Sequence, residues 1–343
     1  MRKSVKNSVK ENYFGDDNYA RTWSRTWPSR SWGSDDSGTT NANDATEIRL
    51  AKNLSQIKHK IVVMSGKGGV GKSTVAANIA ETLQAMGYKT GILDADIHGP
   101  NVPKMLGIEM LEEQFNQYQF DKFKELVEEG LDTSLPEEEQ REFIEEKKKE
   151  YQHSIFPVET ESGLKVMSMA FLIDSLDRPI IWRGPQKTGA IKQLISDAHW
   201  GKLDFLVIDN PPGTGDEPLT VLQSIPETDL VLMVTTPNVV SQEDVLKCVK
   251  MVEMMNIKNI GLIENMAYYI CPHCDEKLHI FGEGNGKTFA DEMEITYLGD
   301  LPIKESVAES PTKDATISVL DPDDEVSKRF VEIVEDIKKE FLE

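Results

Sequence analysis

Long apolar segments and basic residues are what this 343-residue sequence lacks most clearly. No segment approaches the roughly 18 consecutive apolar residues that a membrane-spanning helix needs, and residues 1–10 lack the apolar centre of a secretory signal peptide. The 38 Lys and Arg residues are outnumbered by 59 Asp and Glu residues, which gives a formal net charge of -21. Such a chain repels nucleic-acid phosphates and anionic lipid, so we expect a cytoplasmic protein that binds neither nucleic acid nor membrane.

Cysteine is scarce as well, with 3 residues in the whole chain. Three cysteines cannot build a disulfide framework, and in a reducing compartment a close pair indicates metal or redox chemistry instead. Cys271 and Cys274 form such a pair, whereas Cys248 lies in a predicted helix and is expected to be a buried packing residue. The cysteine pair is therefore a first candidate functional feature.

The first 52 residues are rich in Ser, Asn, Asp, Thr and Arg, show no sustained hydrophobic period, and contain three of the five tryptophans. We predict a mostly disordered polar tail over residues 1–52. Its tryptophans recur within residues 21–32 in a short near-repeat, which is either a strip that docks a partner or a solvated segment without a role.

From residue 60 onward, short continuous apolar runs alternate with helical patterns. Runs of this length without polar alternation are typical of strands that are buried on both faces. Helices between such strands predict an α/β fold with a doubly wound, mainly parallel sheet, in one domain over residues 53–343. The strand segments are residues 61–64, 91–93, 205–208, 230–234 and 260–263.

Residues 109–150 break this rhythm with 15 acidic and 6 basic residues, a local net charge of -9. Ser134 followed by Glu137 predicts a capping box that starts an exposed helix over residues 138–151. We interpret the segment as an acidic helical insertion on the sheet. Its charged surface either faces only water or forms an arm that binds a partner, and the first interpretation is favoured.

A glycine-rich loop that matches G-x-x-x-x-G-K-S follows the first predicted strand and precedes a helical run. Its glycines let backbone N–H groups converge on phosphate oxygens, and the helix N-terminus adds partial positive charge. Lys72 is expected to reach the β and γ phosphates, and Ser73 to bind Mg²⁺. The predicted nucleotide-binding residues are Gly66, Lys67, Gly68, Gly69, Val70, Gly71, Lys72, Ser73 and Thr74.

Three aspartates follow predicted strands at the edge where open α/β sheets bind ligands. Asp94 and Asp96 come after the second strand, and Asp209 follows the strand segment 205–208. We expect Asp94 and Asp209 to support Mg²⁺ and Asp96 to orient the attacking water, while the Pro- and Gly-rich residues 211–215 switch with the γ-phosphate. Any one of these aspartates alone could instead be a helix cap or an ordinary loop residue.

Cys271 and Cys274 form a C-x-x-C pair, which supplies two thiolates where zinc or a 4Fe-4S cluster needs four ligands. Two pairs that face each other across the two-fold axis of a homodimer supply four. Spacing alone leaves three possibilities open: a bridging 4Fe-4S cluster, a zinc ion with His273 or His279 nearby, and a redox-active dithiol.

Lys67 is a second lysine within the phosphate-binding loop, in addition to the one that the common motif requires. In this respect the loop resembles that of the deviant P-loop ATPases, the group of the MinD and ParA proteins and the nitrogenase iron protein. The resemblance implies that Lys67 crosses the interface of a nucleotide-bound dimer and contacts the partner's phosphates, as an arginine finger does. Catalysis by Lys67, Lys72 and Asp96 would then require a homodimer.

Further segments together resemble the Mrp/ApbC family of iron-sulfur cluster carrier ATPases over about residues 53–320. Besides the phosphate-binding loop they are residues 94–100, 182–185, 209–216, 265–266, 271–274 and 281–282. The resemblance implies an ATP-hydrolysing homodimer that carries a labile 4Fe-4S cluster at Cys271 and Cys274 and passes it to apoproteins. It also implies that Asn265 reads the adenine and that Pro302 lines the base pocket, although Asn265 could otherwise be a turn residue.

Two alternatives come from other functional classes. A MinD- or ParA-like positioning ATPase would bind membrane or nucleoid, and residues 325–343 are amphipathic as a membrane-binding helix is. This segment carries 6 acidic and 4 basic residues, which disfavours anionic lipid, so we interpret it as a helix packed on the sheet. The second alternative is an ATPase dimer that scaffolds other proteins and holds a structural zinc at the C-x-x-C pair.

Overall fold

The computed structural model of the chain describes residues 40–172, 184–271, 273–274, 276–282, 284–303 and 324–342. In these residues one sheet carries helices on both faces. Its strands are β1 Ile57–Ser65, β2 Thr90–Asp94, β3 Val158–Glu159, β4 Lys165–Ser168, β5 Leu203–Asp209, β6 Leu230–Thr235, β7 Ile260–Ile270, β8 Lys277–Leu278 and β9 Thr296–Ile303. The helices are α1 Thr40–Leu54, α2 Lys72–Ala85, α3 Val102–Met105, α4 Glu112–Gly130, α5 Glu137–Glu150, α6 Gly184–Asp197, α7 Asp216–Ser224, α8 Val239–Met254, α9 Gly286–Glu292 and α10 Glu325–Ile337.

The strands of the sheet are mainly parallel. Along the sheet they follow the order β3, β4, β2, β5, β1, β6, β7, β8, and β9 also pairs with β7. Only the two-residue strands β3 and β8 pair antiparallel with their neighbours in the described sheet. Each predicted strand segment lies within one of these strands. The structure therefore confirms the predicted doubly wound, mainly parallel α/β fold.

Strand β1 shows why its apolar run does not alternate with polar residues. Val62 and Met64 belong to the core on one face of the sheet, and Ile61 and Val63 belong to the core on the other. All four side chains are fully buried. Because both faces are covered by helices, every position of the run 61–64 is apolar.

The register of the sheet aligns the carboxyl ends of its central strands. Asp209 of β5 lies opposite Asp94 of β2 on one side and Val63 of β1 on the other. Ser65, two residues further along β1, lies opposite Val234 of β6. The segments that follow β1, β2 and β5 therefore start beside one another at one edge of the sheet.

Helix α1 lies before the first strand and packs on α6. The Arg49 guanidinium is 3.3 Å from a carboxylate oxygen of Asp197, and the Asn53 amide donates to the Ser196 carbonyl at 2.7 Å. The predicted boundary of the tail at residue 52 therefore falls inside a helix. Leu54 is also buried in the core, and Leu50 packs against it. Two apolar positions in a polar segment are too few to show a helical period, so the pattern of the chain did not indicate α1. The Trp-containing residues 21–32 lie outside the described residues.

The acidic insertion forms a helical hairpin of α4 and α5 with a small core of its own, made by Phe120, Phe123, Val127, Leu131, Ile144 and Phe156. The predicted capping box at Ser134 is wrong. Helix α5 begins at Glu137 with Pro136 as its N-cap, and the Ser134 hydroxyl is used in the preceding turn, 2.6 Å from Asp132. The insertion is thus a packed pair of helices, which goes beyond the single exposed helix that the charge pattern predicted.

The C-terminal helix α10 packs on the sheet, as the sequence predicts. Its buried residues recur with helical spacing and are Val326, Ser327, Phe330, Ile333, Val334 and Ile337. The Asp324 carboxylate caps the helix by accepting a hydrogen bond from the Ser327 N–H at 3.3 Å. None of the helices in the described ranges is long and apolar enough to cross a membrane.

Candidate functional site

The phosphate-binding loop of residues 66–71 joins β1 to α2 at the carboxyl edge of the sheet. Gly69 and Gly71 have φ angles of 82°, a left-handed backbone that residues with a Cβ disfavour. A Cβ on Gly66 would overlap with the backbone of Asp244 in α8, and one on Gly71 would overlap with the Asn265 amide. The loop is therefore packed closely from two sides, where only glycine fits.

Lys72 and Asp209 form a buried ion pair at the base of this loop. The Lys72 ammonium lies 2.5 Å from Oδ1 of Asp209 and 3.3 Å from the Ser73 hydroxyl. Lys72 is 6% exposed and Asp209 is 0% exposed, so each charge depends on the other for compensation. A phosphate group bound in the loop would compete with Asp209 for the same ammonium group.

Asp94 lies beside Asp209 at the end of β2 and is fully buried. Its carboxylate accepts hydrogen bonds from the Ser168 hydroxyl at 3.1 Å and from the backbone N–H groups of Asp96 and Val102, each at 3.2 Å. Burial and the neighbouring carboxylate of Asp209 raise the pKa of Asp94 to about 8. Two buried carboxylates thus share one lysine, and this place accommodates a further positive charge.

One carboxylate oxygen of Asp209 points to the same conclusion. Oδ1 accepts from Lys72, whereas Oδ2 is buried and forms no hydrogen bond with any described residue. Burial raises the pKa of Asp209, against the opposing effect of Lys72. Buried carboxylate oxygens are normally hydrogen-bonded or bound to a metal. Asp209, Asp94 and the Ser73 hydroxyl therefore fit a Mg²⁺ ion, which prefers oxygen ligands.

Asp96 lies in the loop that follows β2 and is half-buried. Its carboxylate accepts from the backbone N–H groups of His98 at 3.0 Å and Gly99 at 3.3 Å. Its own N–H donates to Asp94, so the structure brings these two predicted site residues together. The hydrogen bonds also fit an ordinary loop carboxylate, so its role in orienting water stays a prediction.

The loop after β5 packs beneath the phosphate-binding loop. The Gly213 N–H donates to the Ser65 carbonyl at 2.8 Å. The Cys248 thiol of α8 lies 3.8 Å from the Ser65 carbonyl and 3.6 Å from the Gly213 carbonyl. Burial raises the pKa of Cys248 to about 11. Cys248 is therefore the buried packing residue that the sequence predicts, and its helix α8 contacts both loops.

Lys67, the additional lysine of the loop, is half-buried. Its carbonyl accepts a hydrogen bond from the Ser65 hydroxyl at 3.0 Å, which holds the backbone of the loop at this point. The buried ion pair to Asp209 is made by Lys72 and not by Lys67. Its predicted contact with the phosphates of a partner subunit stays a prediction.

Asn265 of β7 contacts the phosphate-binding loop, because its amide donates to the Val70 carbonyl at 2.9 Å. Pro302 lies on the neighbouring strand β9, opposite Tyr268 of β7 in the sheet register. The structure thus brings Asn265 to the phosphate-binding loop. Pro302 lies opposite Tyr268, which is three residues after Asn265 on β7. Their predicted contacts with adenine stay predictions.

The cysteine pair lies at the tip of a β hairpin. Glu264 is the last residue of β7 that pairs with β6, and β7 continues beyond it. Strand β8 returns antiparallel, with Lys277 opposite Ile270. The Cys271 N–H donates to the Glu276 carbonyl at 3.0 Å and closes the turn. Residues 265–270 continue the strand beyond its pairing with β6, with an irregularity at Met266, where φ is 58°. The hairpin therefore projects beyond the edge that carries the nucleotide site.

The described residues of the hairpin provide an incomplete set of metal ligands. Cys271 is half-buried and Cys274 is exposed. No group of three or more His, Cys, Asp or Glu side chains that could hold a metal occurs in the part of the chain that the structure describes. Nδ1 of His279 donates to the Ala267 carbonyl at 3.1 Å, which ties this ring to the strand backbone.

Sequence reasoning missed the polar residues that support the site from distant segments. Besides Ser168, which donates to Asp94, they include Lys187 of α6. Its ammonium lies 2.6 Å from Nε2 of His98 and 2.8 Å from the Glu217 carboxylate, and so joins the loop after β2 to α6 and α7. These partners are 30 to 89 positions apart, and no local spacing signals them. Residues 182–183, part of one family-like segment, lie outside the described residues.

Comparison with known proteins decides the family. The model of the ParA family, described as NUBPL iron-transfer P-loop NTPase, matches residues 56–338. The chain is a NUBPL-type P-loop NTPase of the ParA family. This NTPase is 43% identical over 291 residues to the iron-sulfur cluster carrier protein of Methanocaldococcus jannaschii, with 85% of this chain and 88% of that protein covered. The predicted family resemblance and the enzyme class, an ATPase, are thereby confirmed.

Solved structures confirm the fold of the NUBPL-type NTPase. A nucleotide-binding protein of Archaeoglobus fulgidus in complex with ADP is 32% identical with a TM-score of 0.57, covering 77% of this chain and 90% of that chain. The MinC:MinD cell division complex of Aquifex aeolicus gives a TM-score of 0.51 at 19% identity, covering 83% and 97%. The latter likeness concerns the fold alone.

Proposed function

We propose that this NUBPL-type NTPase is an ATP-hydrolysing homodimer that binds a labile 4Fe-4S cluster between the Cys271 and Cys274 pairs of two subunits and passes it to apoproteins. The observation that carries the proposal is the hairpin, which presents two thiols and, among the described residues, no third ligand. A cluster with four cysteine ligands needs a second hairpin. The M. jannaschii relative is named an iron-sulfur cluster carrier protein, which supports this cargo.

The surroundings of the thiols favour a shared site over a zinc ion held by one chain. Tetrahedral zinc would need two further ligands from the same chain. His279 is tied to the Ala267 carbonyl, and His273 is exposed on the turn between the cysteines. Zinc shared by two chains and a redox-active dithiol are the remaining rivals, and both predict a protein without labile sulfide.

The nucleotide site supports hydrolysis by the groups that the sequence indicates. Phosphates in the loop would draw Lys72 away from Asp209 and so free both oxygens of this carboxylate. Mg²⁺ held by Ser73 and the two buried aspartates would neutralise charge on the β and γ phosphates. Asp96 orients the attacking water in this proposal, and Lys67 reaches the phosphates of the partner subunit.

The shared edge of the sheet explains how ATP and the cluster could influence each other. The phosphate-binding loop follows β1, and the cysteine hairpin extends β7 beyond the same edge. Two subunits that close over their nucleotides along this edge also bring their hairpins toward each other. Nucleotide binding and cluster binding then depend on one dimer equilibrium, which makes the coupling reciprocal.

The packing of α10 disfavours the alternative of a membrane-bound positioning ATPase. Its apolar residues, Phe330 and Ile333 among them, are buried against α2 and the sheet and present no free apolar face to lipid. We therefore propose a cytoplasmic carrier that acts on apoproteins without binding membrane or nucleic acid. Co-sedimentation with anionic vesicles or with DNA, in the presence of Mg-ATP, would contradict this part of the proposal.

The decisive experiment is metal analysis of protein purified without oxygen and reconstituted with iron and sulfide. We expect about four iron and four sulfide per dimer, with a broad absorption band near 400 nm. The Cys271→Ser variant should lose both, whereas Cys248→Ala, which removes the buried cysteine, should keep them. Zinc without labile sulfide, or full iron in Cys271→Ser, would remove the carrier role. Cluster transfer is then measured as the activity regained by an apoenzyme that needs a 4Fe-4S cluster.

A further inference from the structure

Helix α8 lies against the nucleotide site. The backbone of Asp244 and Val245 packs so closely on Gly66 that a Cβ there would overlap with it. One turn further along, the Cys248 thiol contacts the carbonyls of Ser65 and Gly213. A displacement of either loop during nucleotide binding therefore acts directly on α8.

The first turns of α8 also hold the loop that follows the cysteine hairpin. The Gln242 amide donates a short hydrogen bond to the side-chain carbonyl of Asn285. Gln242 is 5% exposed, whereas Asn285 is exposed, so the contact joins the buried side of α8 to the surface loop. Asn285 precedes α9 but makes no capping hydrogen bond to that helix, so its side chain serves the contact with α8.

Glu264 holds the same loop from the side of the sheet. Its carboxylate, 3% exposed, accepts from the Gly286 N–H at 3.0 Å and also from the Asn285 N–H. A Cβ on Gly284 would overlap with this carboxylate. A buried carboxylate is costly unless it is hydrogen-bonded, so these backbone donors fix the position of the loop.

The outgoing strand of the hairpin is tied to the nucleotide site as well. Asn265, which follows Glu264 on β7, donates to the Val70 carbonyl of the phosphate-binding loop. Six residues later the strand reaches Cys271. Both ends of the hairpin are thus anchored to elements that touch the phosphate-binding loop, one through Asn265 and the other through α8.

We propose that Gln242, Asn285 and Glu264 form the connection by which the nucleotide site positions the cysteine hairpin. The inference rests on the proposed function, since it describes the regulation of the same cysteine pair. Gln242 and Asn285 are positioning residues: they act by holding the hairpin loop to α8. When nucleotide shifts the phosphate-binding loop, α8 transmits the shift to the loop after the hairpin and changes the exposure of the thiols.

The test measures thiol exposure in cluster-free protein, so it does not depend on a cluster. Iodoacetamide labelling of Cys271 and Cys274 is followed by peptide mass spectrometry, with and without Mg²⁺ and a non-hydrolysable ATP analogue. In the unmodified protein the analogue should change the labelling rate by about fivefold or more, the usual scale of coupling between sites. In Gln242→Ala and in Asn285→Ala the change should fall below about twofold, with the affinity for the analogue retained.

The matched control is Gln117→Ala, which removes a glutamine hydrogen bond, to Asp121, on the exposed surface of α4. It should keep the full response. In the double variant of Gln242 and Asn285 the analogue should change the labelling rate by no smaller a factor than in either single variant. Two residues that act through one contact lose that contact only once, so the effects of the two substitutions do not add.

Three results would overturn the inference: no effect of the analogue on the unmodified protein, a full response in both single variants, or a loss of response that accompanies a loss of analogue affinity. The last result would mean that these residues support the phosphate-binding loop itself. Failure of the proposed function is read separately, from the absence of iron and sulfide after reconstitution.

Discussion

The nucleotide site and the cysteine hairpin lie at the same edge of the sheet but are built on opposite principles. At the nucleotide site Lys72 and Asp209 are almost completely buried, and glycines allow close packing from two sides. At the hairpin Cys274 is exposed, and two thiols stand without a third ligand among the described residues. The charges of one site are compensated within a single chain, whereas the other completes its ligand set with a second copy only in the function that we propose.

This difference shows how one chain can separate chemistry from cargo. Buried charges are costly to rearrange, so the nucleotide site is preorganised for one ligand. Thiols on a projecting turn can be reached by a partner subunit or an acceptor protein. The two regions should therefore respond very differently to substitution, and four predictions test this.

The largest expected effect is on turnover in Lys67→Ala. ATP hydrolysis should fall about 10³-fold or more, because a charge supplied across a subunit interface contributes that much to phosphoryl transfer. Iron per dimer after reconstitution should not change. Phosphate release at saturating ATP measures the effect. Lys202→Ala, an exposed lysine before β5 at the amino end of the strand, is the control and should keep full turnover. Normal hydrolysis in Lys67→Ala would refute the role in trans.

The next effect is on stability in Lys72→Met. The variant leaves the carboxylate of Asp209 buried without its cation, which costs about 3–5 kcal/mol for a buried pair. Urea unfolding measures the loss. The control is Lys58→Met, which breaks an ion pair to Asp204 whose lysine side chain is 69% exposed, and should cost less than about 1 kcal/mol. Equal losses would contradict the contrast between buried and exposed charges.

A third prediction concerns the reactivity of the three thiols. The thiolate is the reactive form, and burial raises the pKa of Cys248 to about 11, so this thiol stays protonated until the pH approaches that value. At pH 8 the folded, cluster-free protein should therefore take up two alkyl groups, at Cys271 and Cys274, and urea-unfolded protein should take up three. Intact-protein mass spectrometry counts them. Rapid uptake of a third alkyl group by folded protein would contradict this prediction. It would show that solvent reaches Cys248 and that its contacts with Ser65 and Gly213 are broken.

The smallest effect is expected at the hairpin itself. The Lys277 ammonium lies 4.0 Å from the centroid of the Tyr268 ring, at an exposed position. Removing this cation–π contact in Lys277→Ala should cost about 0.5–1 kcal/mol in urea unfolding. ATP turnover should stay the same. A loss as large as that of Lys72→Met would mean that the hairpin is part of the cooperative core and not a separable arm.

The reach of sequence reasoning differed between elements for a physical reason. The strand segments and the phosphate-binding loop were predicted because their signals are local: an unalternated apolar run and a glycine spacing that a phosphate requires. Helix α1 was missed because long-range contacts to α6 and two apolar residues hold it. The helix predicted over residues 138–151 lies within one residue of α5, but its predicted capping box was wrong because Asp132 accepts the hydrogen bond of the Ser134 hydroxyl. Such contacts depend on neighbours that a local pattern does not contain.

By itself, the sequence determined where the candidate residues for phosphate, Mg²⁺ and a thiol-bound metal lie along the chain, since that chemistry resides in residue types and short spacings. Only the tertiary structure decided that Asp94 and Asp209 share Lys72 and that Gln242 holds Asn285. Lys72 and Asp209 lie 137 positions apart in the chain, and Gln242 and Asn285 lie 43 positions apart. Long-range pairs of this kind arise from strand order and helix packing, and no local propensity encodes them.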